Sequence, residues 1–218
     1  IAVRWSQAKV EGRVPLKLAA QYALYDKLVY SKLRAALGGE LRYAVSGGGP
    51  LGERLAHFFH AVGVQVVEGY GLTETCAPIA VGRVNPYQIG MLGPLIPGSE
   101  GYIAEDGELL VRGVGVISSY YKNPEEDAQA FTEDGWFRTG DLARFDERGY
   151  LKIVGRKKEI IVTAGGKNVI PGIAETHLRT SPLVSQAMLI GDEKPFIAAL
   201  VTLDPDTLPE QLEHLGLP

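Results

Sequence analysis

The chain has few of the features that define several large classes of protein. It has one cysteine, Cys76, in 218 residues, which excludes a disulfide framework and a cysteine-based metal site. Lys and Arg number 22 against 26 Asp and Glu, so we expect no broad basic surface and no nucleic-acid partner. No apolar run approaches the ~18 residues of a membrane-spanning helix, and no leader-like segment stands at the start. These absences favour a cytoplasmic protein, and the start at Ile1 suggests an internal piece of a longer one.

The first part of the sequence predicts an α/β unit. Apolar residues recur at helical spacing from Leu16 to Leu37, whereas residues 1–15 show no regular pattern and are predicted to be irregular. Two short apolar runs, 41–45 and 64–67, have the length and composition of strands. A Gly-rich loop and an amphipathic segment separate them, so the order strand, loop, helix, strand is expected.

From Gly101 to Val154 the pattern changes to short strands separated by tight turns. Asp106-Gly107, Asp134-Gly135 and the segment 146–149 each lie between apolar runs, which is typical of β-hairpins. A short helix is predicted at residues 124–131. These features predict a small antiparallel barrel or sheet.

The predicted fold class is therefore α/β, with a small antiparallel β-barrel and the start of an α+β lid domain. We divide the chain into a partial α/β subdomain at 1–94, a barrel-like subdomain at 95–154, a hinge at 155–158 and an incomplete α+β domain at 159–218. The last part is expected to contain a hairpin around residues 160–170, a helix and two strands.

The segment Glu68–Thr75 combines an aromatic ring, hydroxyls and a carboxylate in one Gly-containing turn. A ring can stack on a base, a hydroxyl can bind a phosphate oxygen and a carboxylate can bind Mg²⁺. The segment Ser46–Leu51 precedes this turn, and Trp136–Asp141 and Gly155–Glu159 follow it. These four segments, in that order, resemble the adenylate-forming superfamily of acyl-CoA synthetases, adenylation domains and luciferases.

Within that superfamily the chain is most similar to bacterial long-chain fatty acyl-CoA synthetases. The similarity lies in Lys27–Gly39, Gly155–Asn168 and Pro195–Leu200. It implies an ATP-dependent, AMP-forming fatty acid–CoA ligase whose substrates are a fatty acid, ATP and coenzyme A, with Mg²⁺ as cofactor. It also allows peripheral contact with a membrane.

The resemblance implies a role for each matching residue. Tyr70 stacks on the adenine, Thr73 binds the α-phosphate and Glu74 binds Mg²⁺. Asp141 holds the ribose hydroxyls, and Arg156 binds ribose or phosphate oxygens. Thr73, Glu74 and Arg156 are the expected catalytic residues. The alternatives are a solvated glutamate in a Gly-rich loop for Glu74 and an ordinary turn aspartate for Asp141.

The glycine-rich loop is expected to lie beside the adenine. In the family this loop corresponds to Gly47, Gly48, Gly49 and Pro50, where glycine permits close approach of a ligand because it has no side chain. We expect Pro50 to lie in the first turn of the following helix. Gly71 belongs to the expected adenine site as well.

The same loop leaves two other interpretations open. Gly47, Gly49 and Gly52 satisfy G-x-G-x-x-G between a strand and a helix, and Glu68 closes the next strand about 20 residues on, as in a Rossmann-type NAD site. Against it, no further alternation of strands and helices follows. A tight turn that only lets the helix pack on the strand is the third interpretation.

The basic segment after Gly155 matches the family's hinge. Lys158 lies at the position about which the last domain rotates, and a solubilising basic linker is the alternative. In the family, the hairpin loop 163–169 lines the pantetheine tunnel, so Gly165 and Gly166 are candidate binding residues. Plain hairpin-turn glycines are equally compatible with the pattern.

Two parts of the family's machinery have no counterpart in this sequence. They are the Ser/Thr/Gly-rich phosphate loop with its lysine and the catalytic lysine near the family's C-terminus. We therefore expect the isolated chain to bind adenosine nucleotides weakly at most, without adenylating. A non-catalytic folding or interaction fragment is the remaining alternative.

Overall fold

The computed structural model describes residues 1–181 and 183–215. The helices are α1 (Ala2–Val10), α2 (Leu16–Tyr25), α3 (Ser31–Ala36), α4 (Glu53–Val62), α5 (Pro124–Ala130), α6 (Pro171–Leu178) and α7 (Leu208–Leu215). The strands are β1 (Tyr43–Ser46), β2 (Gln65–Leu72), β3 (Ala77–Val81), β4 (Ser99–Ile103), β5 (Glu108–Gly113), β6 (Phe137–Phe145), β7 (Leu151–Arg156), β8 (Ile161–Val162), β9 (Asn168–Val169), β10 (Val184–Ile190) and β11 (Ala198–Leu203).

The chain divides into two compact units. The first unit contains Ile1–Tyr102, Leu110–Arg138 and Phe145–Lys152. The second contains Ile103–Leu109, Thr139–Arg144 and the chain from Ile153 onward. Our division of the sequence into four segments stays a prediction.

A β-α-β arrangement forms the sheet of the first unit. Strand β1 pairs in parallel with β2, with Tyr43 opposite Gln65, and α4 connects them. On its other side β2 pairs antiparallel with β3, with Tyr70 opposite Ala80. The predicted order of strand, loop, helix and strand is therefore confirmed.

Two local predictions were wrong, and one was confirmed with a change of detail. Residues 1–15 contain α1, which was not predicted because its buried residues, Ala2 and Ser6, are small or polar and show no apolar periodicity. The helix predicted from Leu16 to Leu37 is confirmed, with a π-helical turn at Asp26–Tyr30 between α2 and α3. Helix α4 begins at Glu53 rather than near Pro50, after Gly52 with φ +82°.

Aromatic side chains pack the helices of the first unit together. The rings of Trp5 and Tyr22 stack at 3.8 Å between centroids, and the Tyr22 hydroxyl donates to the carbonyl of Ala61 at 2.6 Å. Tyr30, in the π-helical turn, is buried in the same cluster. These contacts pack α1 and α2 against α4, which begins directly after the loop 47–52.

The remaining strands confirm most of the predicted hairpins. Strands β4, β5, β6 and β7 lie side by side in that order in one sheet, and β8 pairs antiparallel with β9. Strands β10 and β11 pair antiparallel, with Met188 opposite Leu200. Helix α5 occupies the predicted position. The predicted fold class, an α/β part with a small antiparallel sheet and the start of an α+β domain, is confirmed.

No helix within residues 1–181 and 183–215 has both the length and the apolar character needed to cross a bilayer.

One buried hydroxyl links α1 to α4. The Ser6 side chain is fully buried, and its Oγ lies 2.8 Å from Nδ1 of both His57 and His60. A hydroxyl has one proton, so it donates to one ring and accepts from the Nδ1–H of the other. Burial lowers the pKa of both histidines, helped at His60 by Lys9 and opposed at His57 by Glu53. The folded state therefore favours two neutral rings.

We expect the free energy of unfolding to fall as the pH drops from 7 to 5. The folded pKa values lie below the ordinary value near 6.5, so the unfolded chain binds more protons in this range. The stabilisation is complete above the unfolded pKa and is lost progressively below it. Urea unfolding at several pH values measures this slope. His60→Gln should flatten the slope, because it removes one of the two histidines whose pKa is lowered by burial. Equal stability at pH 7.5 and 5.5 would contradict the expectation.

Candidate functional site

The turn after β2 carries two of the predicted site residues, Thr73 and Glu74. A 3₁₀ turn at Thr73–Thr75 joins β2 to β3. The Thr75 hydroxyl, which is buried, accepts from the backbone N–H of Leu72 at 2.9 Å and lies 2.9 Å from the carbonyl oxygen of Ala77, to which it can donate. These two hydrogen bonds fix the backbone of the turn, and the Thr73 side chain remains exposed. Sequence reasoning missed the structural role of Thr75.

Gly71 is required by the backbone of this turn. A Cβ at this position would overlap the carbonyl oxygen of Ala77 and lie 2.6 Å from its carbonyl carbon. The chain returns so tightly because Cys76 and Ala77 both adopt positive φ values, 52° and 83°. The contribution of Gly71 to a nucleotide site stays a prediction, but its place in the fold has this physical cause.

Glu74 is held by a residue that sequence reasoning missed. The Tyr120 hydroxyl donates to Oε1 of Glu74 at 3.1 Å, and the backbone N–H of Ile117 donates to the Glu74 carbonyl at 2.8 Å. Burial, together with the neighbouring Glu74 carboxylate, raises the pKa of Tyr120 to about 12. Tyr120 therefore stays protonated and donates to the carboxylate at neutral pH. The two residues are 46 positions apart, so no local pattern signals the contact.

The chemistry of Glu74 suits a magnesium ion that is shared with a phosphate. Among the described residues no cluster of three or more His, Cys, Asp or Glu side chains could form a protein-only metal site. Mg²⁺ is commonly held by one or two carboxylates, water and substrate phosphates. One partly buried carboxylate, oriented by Tyr120, fits that requirement.

The glycine-rich loop is hydrogen-bonded to Glu68 of β2, the acid that would bind the ribose in a dinucleotide site. Oε2 of Glu68 accepts from the backbone N–H of Leu51 at 3.0 Å. In a dinucleotide site the corresponding acid would bind ribose hydroxyls. The strand beyond β2 is the antiparallel β3, whereas a Rossmann half continues with parallel strands. The alternative of an NAD module built on Gly47, Gly49, Gly52 and Glu68 is not supported.

The predicted site residues of this loop lie on its exposed side. Gly48, Gly49 and Pro50 are exposed, and a Cβ at Gly49 would meet nothing within 4 Å. A Cβ at Gly47 would lie 3.4 Å from the carbonyl oxygen of Gly69. Gly47 therefore lies close to the strand that leads into Tyr70, which is partly buried.

Asp141 and Arg156 meet in the second unit. Asp141 is 2% exposed, and Nε of Arg156 lies 2.9 Å from its Oδ1. The Arg156 side chain remains 53% exposed, so its guanidinium has a surface available to solvent or ligand. Sequence reasoning proposed these residues from separate motifs, and the structure brings them into one ion pair.

The backbone around Asp141 is held by Thr139. The Thr139 hydroxyl donates to the carbonyl of Leu109 at 2.7 Å and accepts from the N–H of Asp141 at 3.1 Å. These bonds show that Thr139 fixes the backbone of β6 next to Asp141. Asp141 is thus a buried, ion-paired carboxylate, unlike an ordinary solvated turn aspartate.

The predicted hinge and hairpin glycines lie in the same unit. Lys158 is exposed in a 3₁₀ turn, Lys157–Glu159. Gly166 has φ +74°, and its N–H donates to the Thr163 carbonyl at 2.8 Å. A Cβ at Gly165 or Gly166 would meet nothing within 4 Å. The loop geometry is that of a hairpin, and its role in binding pantetheine stays a prediction.

The chain matches sequence models of the AMP-binding enzymes at residues 14–121 and of the AMP-binding enzyme C-terminal domain at residues 158–215. The long-chain-fatty-acid–CoA ligase FadD15 of Mycobacterium bovis is 56% identical over 205 residues, which make up 94% of this chain and 34% of that protein. The human long-chain-fatty-acid–CoA ligase ACSBG1 is 36% identical over 84% of this chain and 27% of its own length.

Solved structures show the same relationship. The ATP-bound RpMatB–BxBclM chimera B1 matches with a TM-score of 0.70 and 30% identity, over 85% of this chain and 42% of that one. The O-succinylbenzoate coenzyme A synthetase MenE of Bacillus subtilis, solved with ATP and magnesium, matches with a TM-score of 0.67 and 26% identity, over 84% and 43%.

The chain therefore belongs to the AMP-binding enzyme family and has the fold of the adenylate-forming enzymes. It spans about a third of the length of the FadD15 ligases that it matches. The expected resemblance to long-chain acyl-CoA synthetases is confirmed.

Proposed function

We propose that this chain supplies the adenosine-binding part of an ATP-dependent, AMP-forming fatty acid–CoA ligase. The observation that carries the proposal is its 56% identity, over 94% of its length, to a long-chain-fatty-acid–CoA ligase. The substrates of the whole protein are a fatty acid, ATP and coenzyme A. We place the protein in the cytoplasm, with peripheral contact to the membrane from which fatty acids are drawn.

The proposed reaction has two steps. A carboxylate oxygen of the fatty acid attacks the α-phosphorus of ATP, and the bond to pyrophosphate breaks to give an acyl-adenylate. The sulfur of coenzyme A then attacks the acyl carbon, the bond to AMP breaks and the thiol proton is released. Activation is needed because a free carboxylate has no adequate leaving group, whereas AMP leaves as a stable anion.

Each proposed residue contributes through its own chemistry. The exposed Thr73 hydroxyl and the Arg156 guanidinium donate to the α-phosphate, where negative charge grows. Mg²⁺, when bound by Glu74 and phosphate oxygens, would neutralise that charge. The two oxygens of Asp141 accept from the ribose hydroxyls. Each of these roles is the binding of ATP or the stabilisation of the charge that develops during adenylation.

The remaining predicted residues would shape the site. The Tyr70 ring stacks on the adenine, and Gly71 and the loop Gly47–Pro50 let the backbone lie against it. Lys158 is the hinge about which the last domain turns between the two steps. The Gly165 and Gly166 backbone lines the path of the pantetheine chain.

Calorimetric titration of the 218-residue chain tests the proposal. We expect heat with AMP and stronger binding of a non-hydrolysable acyl-adenylate, with no comparable heat from NAD. Cys76 is the single cysteine and is exposed beside the proposed turn, so AMP should also slow its alkylation. Absence of heat with every ligand would favour the non-catalytic alternative.

A chimera tests the activity. In it, this chain replaces the matching third of the FadD15 ligase, and AMP release is measured with a long-chain fatty acid, ATP and coenzyme A. We expect turnover by the chimera and none by the isolated chain. A soluble, folded chimera without turnover would count against the ligase assignment.

A further inference from the structure

Two buried carboxylates in the second unit are each paired with one of two consecutive basic residues. Arg156 pairs with Asp141, as described above, and Nζ of Lys157 lies 2.9 Å from Oε2 of Glu108. Glu108 is 3% exposed. Asp141 and Arg156 belong to the proposed site, but nothing in the proposed function uses Glu108 or Lys157.

The second oxygen of Glu108 reaches the backbone directly before Asp141. Oε1 accepts from the N–H of Gly140 at 2.9 Å. Gly140 has φ +70°, a conformation that glycine adopts easily and other residues rarely do. One carboxylate therefore connects the Lys157 ammonium to the part of β6 that carries Asp141.

Lys157 also binds a more exposed acid. Its Nζ lies 2.5 Å from Oδ2 of Asp106, whose side chain is 48% exposed. The ammonium lowers the pKa of Asp106, and both acids raise the pKa of Lys157. The pair with Glu108 differs from the pair with Asp106 in two ways, because Glu108 is buried and also holds Gly140.

We propose that Glu108 and Lys157 are positioning residues that hold Asp141 in its nucleotide-binding orientation. The inference rests on the proposed role of Asp141. Glu108 accepts from the Gly140 N–H, and Lys157 places its ammonium beside the buried Glu108 carboxylate. Neither residue touches the nucleotide.

The test measures the dissociation constant of AMP for variants of the 218-residue chain. Glu108→Leu removes the acceptor of the Gly140 N–H and should weaken AMP binding about tenfold, because an unmade buried hydrogen bond is costly. Lys157→Met removes the ammonium that pairs with Glu108 and should also weaken binding. The matched control Asp106→Asn removes an exposed partner of Lys157 and should change binding by no more than about twofold.

A double variant separates positioning from general damage to the fold. In Lys157→Met with Glu108→Gln, the amide oxygen can still accept from Gly140, and the carboxylate charge is removed together with the ammonium. AMP binding should return to within about twofold of the unchanged chain, since the hydrogen bond is kept. This rescue keeps the inference testable even if Glu108→Leu fails to fold.

The outcomes separate the two proposals. If the unchanged chain gives no heat with AMP, the proposed function fails. If it binds AMP and both Glu108→Leu and Lys157→Met bind equally well, the positioning role is overturned while the function stands. Failure of the double variant to regain binding would also overturn the positioning role.

Discussion

Replacing Gly71 with alanine is expected to lower the free energy of unfolding by about 3 kcal/mol or more. The added Cβ would overlap the carbonyl oxygen of Ala77 and lie 2.9 Å from Cα of Pro78. These are backbone atoms, so no side-chain rotation relieves the overlap. The strand or the turn must move, and the hydrogen bonds of the Thr75 hydroxyl with Leu72 and Ala77 would be distorted as a result. Urea unfolding of the two proteins measures the difference.

Gly49→Ala is the matched control for this prediction. A Cβ at Gly49 finds nothing within 4 Å, and its φ lies outside the left-handed region. Alanine there should leave stability unchanged or raise it by up to about 1 kcal/mol, because it restricts the unfolded chain. If Gly71→Ala and Gly49→Ala unfold with equal free energies, the β2–β3 turn leaves room for a Cβ at position 71, and the prediction is wrong.

Asp141→Asn is expected to weaken AMP binding at least about tenfold, since hydrogen bonds to a charged group are worth about 1.5–3 kcal/mol. The carboxylate can accept from two ribose hydroxyls, whereas the amide offers one acceptor and two donors. Arg156 also loses its charged partner at 2.9 Å. Titration calorimetry measures the dissociation constant, and thermal unfolding shows that the variant is folded.

Asp146→Asn separates ligand binding from turn geometry. Asp146 is a turn aspartate whose Oδ1 accepts from the backbone N–H groups of Arg148 and Tyr150 at 2.9 and 2.8 Å. Its replacement should lower stability and leave AMP affinity unchanged. If Asp141→Asn behaves in the same way, then Asp141 only stabilises the fold and its proposed role in binding is wrong.

Local patterns predicted the elements whose causes are local. Asp106-Gly107 forms the expected turn because glycine adopts φ +85° without a steric penalty. Helix α5 follows from Asn123, whose side chain accepts from the N–H of Glu126, and from Pro124 in the first turn. In both cases the residues that decide the structure are neighbours in the chain.

Elements that depend on distant partners escaped prediction. Helix α1 is stabilised by contacts with α4, made through small and polar side chains such as Ser6. The contact of Tyr120 with Glu74 spans 46 positions, and that of Lys157 with Glu108 spans 49. Periodicity and motif spacing carry no information about such pairs.

Residue types and local spacing were enough to predict the family, most of the helices and strands, and the residues whose chemistry suits a nucleotide. What those residues contact follows only from the tertiary structure. Glu68 binds the loop beside it, Asp141 is buried with Arg156, and Glu108 joins Lys157 to Gly140. The reason is physical, since burial and ion pairing arise only when strands that are distant in the chain lie side by side.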